Sequence, residues 1–182
     1  MANERLLEVK GYYQYGDDFN FVEEKSWKGK AILRENLTFE GIVVDKCSKI
    51  TDNQLISGTL VEYNGASLIK FTNHGCCPCS IFGMSTGKEV IGSWAFHDYV
   101  FTRDAGRSKM IFSEIPMDES EMSDILEKIE DFKSDMDDFS EELYDSLIAN
   151  MQLTVTEFIS NMNANKVNIE REIGAPLKKM EL

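Results

Sequence analysis

A histidine and three cysteines crowd the segment His74-Gly75-Cys76-Cys77-Pro78-Cys79, the densest group of metal-capable side chains in the chain. Thiolates and an imidazole can hold zinc or another soft metal tetrahedrally, which makes His74, Cys76 and Cys79 a candidate metal set. The spacing works against it. Adjacent Cys76 and Cys77 point apart in an extended chain, no second CxxC or histidine pair follows, and Cys47 is the sole distant thiol. Cys76 and Cys79 also form a CxxC, whose redox chemistry needs a helix N-terminus to lower the thiol pKa. Ser80-Ile81-Phe82-Gly83 follows instead and reads as strand or turn, so a reduced hairpin loop is the plainer reading of 74–79.

Other candidate chemistry is thinner. Gly83-Met84-Ser85-Thr86-Gly87-Lys88 superficially resembles a phosphate loop, but it has three residues between its glycines where that loop needs four, and Glu89 follows the lysine. His97 and Asp98 could be a base and its orienting acid, yet neighbours in a strand face opposite ways. No serine or cysteine stands at a triad-like spacing, so the chain reads as non-catalytic and without a cofactor. The aromatics Tyr12, Tyr13, Trp27, Phe71, Trp94 and Phe96 belong by default to a core. Alternatively Tyr13, Trp27, Trp94 and Phe96 line a cavity for a small apolar ligand.

The elements that would position these groups are mostly strands. Residues 6–15 are rich in β-branched and aromatic types and end at Gly16-Asp17-Asp18, a turn signal; Phe19, Phe21 and Val22 suggest a further short strand. Strands follow at 27–33 and 37–45. Gly41 suggests a bulge there, because the alternation Leu37, Phe39 changes face to Ile42, Val44 across it. After a polar loop at 46–53, strands 54–63 and 66–72 flank Asn64-Gly65, the dipeptide that tolerates the positive φ angles of a type I′ hairpin. Residues 74–80 interrupt the pattern, and Ser85-Thr86-Gly87-Lys88 makes a turn. A long strand at 90–101 carries apolar groups on both faces, and Asp104-Ala105-Gly106-Arg107 turns it back into 109–115. Seven or eight short strands joined by tight turns make an antiparallel meander that closes into a β-barrel.

With Gly11-Tyr12-Tyr13 in the first strand and Gly92-Ser93-Trp94 in the long late one, residues 6–115 resemble the calycin group, the up-and-down barrels that include lipocalins and avidin-like proteins. Those families carry a G-x-W element on the first strand; here Tyr13 stands at the tryptophan position and the G-x-W comes late. The resemblance implies a closed barrel whose interior holds a small apolar ligand or is filled by side chains.

Beyond Pro116 the character changes, giving an α+β chain with a β-barrel at 1–116 and an acidic helical extension at 117–182. Met122, Ile125, Ile129, Phe132, Met136, Phe139 and Leu143 keep one helical stripe, and a looser one continues through Leu147, Met151, Val155, Phe158, Ile159 and Met162. Asp118 is placed to cap the helix, with Glu119, Glu121 and Asp124 near the positive end of its dipole. No glycine or proline falls at 117–173, so a break is expected at Asn150, at Thr154-Val155-Thr156 or at 161–165. The tail from Gly174 is expected to fray. Heptad charges do not favour a two-stranded coiled coil: pairing Lys128 with Lys133 is repulsive, and the other three g–e′ pairs hold no opposite charges. The stripe therefore either packs on its own barrel or, through Ile125, Ile129, Phe132, Met136, Phe139 and Leu143, assembles a homo-oligomer.

The formal net charge is −13 over 182 residues, and from Pro116 onward 17 acidic residues face 6 basic ones. Such a surface repels phosphate backbones and anionic lipid, so neither nucleic acid nor a membrane is expected as partner. Residues 1–10 hold no apolar core of signal-peptide length and no stretch reaches the roughly 20 apolar residues of a membrane span, which with the crowded thiols predicts a cytoplasmic protein. The expected function is a non-catalytic intracellular interaction or scaffold protein. The alternatives are a calycin-like binder of a small apolar ligand and a thiol metal or redox protein through 74–79.

Overall fold

The computed structural model describes residues 3–45, 53–75, 78–96, 105–136 and 139–182, with side chains described at all of these except 161–164. Cys47, Cys76, Cys77 and the His97-Asp98 pair lie outside the described residues, as does the continuation of the late strand past Phe96.

Eight strands run in chain order: β1 (Arg5–Tyr15), β2 (Ser26–Leu33), β3 (Thr38–Asp45), β4 (Gln54–Tyr63), β5 (Ala66–Asn73), β6 (Cys79–Ser85), β7 (Val90–Phe96) and β8 (Ala105–Glu114). Each pairs antiparallel with the next, and β8 returns to β1 with Gly11 opposite Met110, closing an eight-stranded up-and-down barrel. Closure satisfies every strand edge, which an open meander leaves exposed. The expected hairpin is present: Tyr63 pairs with Ala66 across Asn64 (φ 48°) and Gly65 (φ 75°).

Period-two alternation sends Leu7, Val9, Phe39, Val43, Phe71, Met110 and Phe112 into the barrel, where they form one core with Trp94. The opposite faces are apolar too where helices cover them. Leu6, Ile32, Ile42 and Leu55 face α1 (Glu119–Asp135), which buries Met122, Ile125 and Ile129 against them. Each such side chain contributes about 1.5–3 kcal/mol. Ala66 and Leu68 face α2 (Glu141–Ile173) through Val155 and Ile159. No described helix is long and apolar enough to cross a membrane.

Five local expectations are corrected. Gly41 is not a bulge: it pairs in continuous register with Ala31 on one side and Ile56 on the other. The apparent change of face arises because Phe39 and Val43 point inward while Ile42 points outward beneath α1. Phe19, Phe21 and Val22 form no strand but part of the connection from β1 to β2. Ala105, Gly106 and Arg107 belong to β8 rather than to a turn, paired with Tyr15, Gln14 and their neighbours on β1 and with Ala95, Trp94 and Ser93 on β7.

The helical break falls between Met136 and Ser140, not at Asn150, at 154–156 or at 161–165. Ser140 caps α2, accepting from the Leu143 N–H at 3.4 Å, and Glu141 and Glu142 follow in the first turn. The β-branched run stays helical because Val155 and Ile159 are buried against Ala66 and Leu68, packing that outweighs local propensity, while the Thr154 and Thr156 hydroxyls bond the carbonyls of Asn150 and Gln152, four residues back, at 2.8 Å.

The tail does not fray. After Gly174 (φ 75°) ends α2, the Lys178 N–H donates to the Ser85 carbonyl, and the Glu181 N–H to that of Gly87, both at 2.9 Å. Met180 and Leu182 pack against the lower core of the barrel. One end of the barrel, with the short turns 64–65 and 86–89, is thereby stoppered by the C-terminal segment. The other end carries the longer connections.

Candidate functional site at the long-loop end of the barrel

At that second end the core stops short and leaves a cavity of ≈ 260 Å³. Its walls include Tyr13 from β1, Trp27 from β2, Phe71 from β5, and Trp94 and Phe96 from β7. The sequence-predicted ligand residues Tyr13, Trp27, Trp94 and Phe96 are thus brought together around one space.

The rings are held. Trp94 Nε1 donates to the Gln14 carbonyl at 3.0 Å, and its ring stands edge-on to Tyr15 (5.0 Å between centroids) and Phe96 (5.1 Å). Trp27 meets Phe71 edge-on at 6.0 Å. Two glycines make room for the tryptophans. A Cβ on Gly11 would lie 2.0 Å from the Trp27 ring, and one on Gly106 would lie 1.7 Å from the Gln14 carbonyl oxygen that anchors Trp94.

Polar groups are few and placed. Tyr13 donates its hydroxyl to Asp45 at 3.4 Å. Asn73 Nδ2 donates to Gln54 Oε1 at 2.7 Å, and Asn73 Oδ1 accepts from the Gly75 N–H at 2.8 Å. Ser108, only 3 % exposed, lines the cavity with a hydroxyl that has no hydrogen-bond partner. A buried hydroxyl left without a partner costs about 1–3 kcal/mol, a deficit that a bound polar atom would remove. Sequence reasoning missed Asp45, Gln54, Asn73 and Ser108. For Asp45 a signal existed, since it continues the inward phase of Phe39 and Val43. The others needed the register. A wider groove of ≈ 790 Å³ lies alongside and shares Tyr15 and Trp94 with the cavity, but adds the charged side chains of Lys70 and Arg107.

The metal candidates diverge. Cys79 opens β6 opposite Asn73 and faces the cavity, whereas His74 turns to the outer surface, its Nε2 2.7 Å from Ser57 Oγ and its ring 5.7 Å from that of Tyr144. A shared metal would require one of the two to leave its present contacts, and the third candidate, Cys76, lies outside the described residues. Among the described residues no three His, Cys, Asp or Glu side chains converge. Cys79 is on a strand, not at a helix N-terminus.

The Ser57–His74 pair has the composition of a nucleophile and base, and residues 17 apart gave no sequence signal for it. Ser57 is fully buried, however, and Tyr144 of α2 lies beside it. Nearby, the Glu40 carboxylate of β3 lies 3.4 Å from Lys133 of α1 and 3.3 Å from Arg34. Burial, and after it the Glu40 charge, pushes the Tyr144 phenol well above its usual pKa. Through these contacts the polar cluster ties α1 and α2 to the barrel.

The self-assembly candidates are divided. Ile125 and Ile129 are buried on the barrel, Phe132 and Phe139 pack against the same cluster, and Met136 is half-buried. Leu143 is 69 % exposed, its place in the packed layer taken by Tyr144. Neither a protein-family model nor a curated protein matches the chain.

Proposed function

We propose that this protein is a calycin-like, non-catalytic binder of a small, largely apolar molecule, held at the long-loop end of the barrel. One observation carries the reading: six aromatic rings and an unpartnered buried hydroxyl surround ≈ 260 Å³ of unfilled space in an otherwise packed barrel. That volume stands near the lower limit of ligand pockets, about 300–1,000 Å³, and suits a molecule of one or two rings. The crowded thiols support a reducing compartment, the cytoplasm, as its place of work.

The chain has two tryptophans, and both line the cavity, so intrinsic fluorescence reports directly on occupancy. Titration with a panel of one- and two-ring compounds should give a saturable change that Cys79→Phe, which fills the space from a half-buried position, removes. A panel that leaves the fluorescence flat at millimolar concentration refutes the reading. A scaffold role keeps one supporting observation: Leu143, Leu153 and Val167 on α2 are 69 %, 58 % and 68 % exposed. A concentration-dependent dimer in sedimentation, abolished by Leu143→Glu with Leu153→Glu, would favour it.

A further inference from the structure

We infer that the tight-turn end of the barrel is a docking site for an extended protein segment, that residues 177–182 occupy it in cis, and that a basic and apolar segment of another protein takes their place. The inference is independent of the cavity at the other end and of what that cavity holds.

The barrel is complete without its tail. Its eight strands pair around the closed ring, and residues 174–182 belong to no strand or helix. They are held as a bound peptide is held. Main chain meets main chain on two hairpins at once: the Lys178 N–H donates to the Ser85 carbonyl at 2.9 Å, the Lys178 carbonyl accepts from the Ser67 N–H at 3.2 Å, and the Glu181 N–H donates to the Gly87 carbonyl at 2.9 Å. The Ser67 hydroxyl oxygen accepts from the Met180 N–H at 2.9 Å. Alternate side chains enter the mouth, where Met180 and Leu182 pack on the barrel core, while Lys179, on the opposite phase, pairs with Glu62 at 2.8 Å. Main-chain bonds for affinity and alternate side chains for specificity are how an extended peptide is recognised.

Detachment takes little from the fold. The link to α2 is Gly174 (φ 75°), Ala175 and Pro176, the first and last of them exposed. Leu177 is the deepest anchor, buried with Ala66, Leu68 and Ile159, whereas Met180 and Leu182 are only partly buried. A segment outside every ladder, with few buried apolar contacts, belongs to the openings of low free energy in a native protein.

Charge selects the occupant. The cis segment sets Lys178 and Lys179 against one acid, Glu181, in a chain of net charge −13. A segment of the same sign is drawn by that field, whereas a second copy of the chain is repelled by it. The partner therefore carries apolar residues in the places of Leu177, Met180 and Leu182, with lysine or arginine between the first two.

The test is anisotropy of a fluorescein-labelled peptide of residues 175–182 on the full chain carrying Met180→Asp and Leu182→Asp, which releases the tail and leaves the barrel's own residues unchanged. Binding should be saturable and at least about tenfold tighter than to the unaltered chain, where the tethered tail competes at an effective concentration of about a millimolar. A scrambled peptide should not bind. Lys179→Glu in the peptide should weaken binding about threefold or more, and Glu62→Lys in the released chain should recover the loss. On the unaltered chain, hydrogen exchange at the amides of Lys178, Met180 and Glu181 should run at least about a hundredfold faster than in β1 and β8. Tail amides as slow as those strands, a released chain that no longer folds, or one that folds and binds the peptide no better than the scrambled one, overturns the docking site. A concentration-dependent dimer of the unaltered chain that Met180→Asp with Leu182→Asp abolishes overturns the foreign partner and assigns the exchange to a second copy.

Discussion

Replacing Glu40 by glutamine should destabilise the protein far more than replacing its partner Lys133 by methionine, although the two belong to the same ion pair. The side chains are 12 % and 9 % exposed, with Lys133 Nζ 3.4 Å from Glu40 Oε1. At an effective dielectric of about 20, that separation corresponds to roughly 5 kcal/mol of gross attraction, most of it offset by desolvation. What differs is who is left behind. Glu40→Gln leaves the buried lysine with Glu130, 3.8 Å away and 72 % exposed, and with the Tyr144 ring 4.6 Å away. Neither replaces a buried carboxylate, and the loss should be about 3 kcal/mol. Lys133→Met leaves Glu40 with Arg34 at 3.3 Å and puts an apolar chain of similar length under α1. That should cost about 1 kcal/mol or less.

The double variant should therefore cost much less than the sum of the two, with a coupling of about 2 kcal/mol in a double-mutant cycle. Urea unfolding followed by far-ultraviolet circular dichroism measures all four species, provided the slopes agree and tryptophan fluorescence gives the same midpoints. Glu40→Gln within about 0.5 kcal/mol of the parent, or additive single changes, would mean that water reaches the pair and that the cluster does not fasten the helices.

Other perturbations follow from the same contacts. Gly11→Ala puts a Cβ 2.0 Å from the Trp27 ring, so the ring must swing away; expected are a loss of about 1–3 kcal/mol and a shifted tryptophan emission, read by denaturation and fluorescence. Deleting residues 177–182 removes Leu177, Met180 and Leu182 from apolar contact and the backbone bonds to Ser85 and Gly87, and should lower the thermal midpoint by several degrees; an unchanged midpoint would mean the segment only rests on the barrel. The raised pKa of Tyr144 means that the folded state holds its phenolic proton more tightly than the unfolded chain does. Its contribution is full below the unfolded value of about 10 and is lost as pH rises from there toward the folded value, so stability falls above pH ~10 and Tyr144→Phe flattens that slope in pH-dependent denaturation.

How much of this was legible depended on whether the determining contact was local. Asn64-Gly65 is decided by its own two φ angles, and the caps at Asp118 and Ser140 by an oxygen reaching an N–H three residues on, so these features can be read from short windows. Tyr13, Trp27, Trp94 and Phe96 could be nominated by residue type, as aromatics carried on strands. Which groups join them depends on register across the closed sheet, and nothing near Ser108 or Asn73 announces it. The helical stripe was visible, but its target was not. Its weak points misled because burial of Val155 and Ile159 against the barrel outweighs local propensity, and the tail because its partners, Ser67, Ser85 and Gly87, lie about ninety to 110 positions away in the chain. Lys133 shows the limit most clearly. In a helical projection it is one more charge beside the stripe, and only the fold, which brings it to Glu40 across 93 positions, makes it a buried one.

The two ends of the barrel then explain why a hollow can persist in a domain of this size. At the tight-turn end Leu7, Leu33, Phe39, Leu60, Ile69 and Phe112 close on Met180 and Leu182 and leave only ≈ 10 Å³ between them. The helices add two further apolar layers on the outer surface, whose residues are distinct from those lining the cavity. Among the described residues the apolar packing is therefore densest away from the long-loop end, where wide aromatic rings with glycines beside them leave a space that ordinary core packing would fill. On the binding role proposed above, a molecule between Trp27 and Trp94 would enter and leave without the loss of those packed layers.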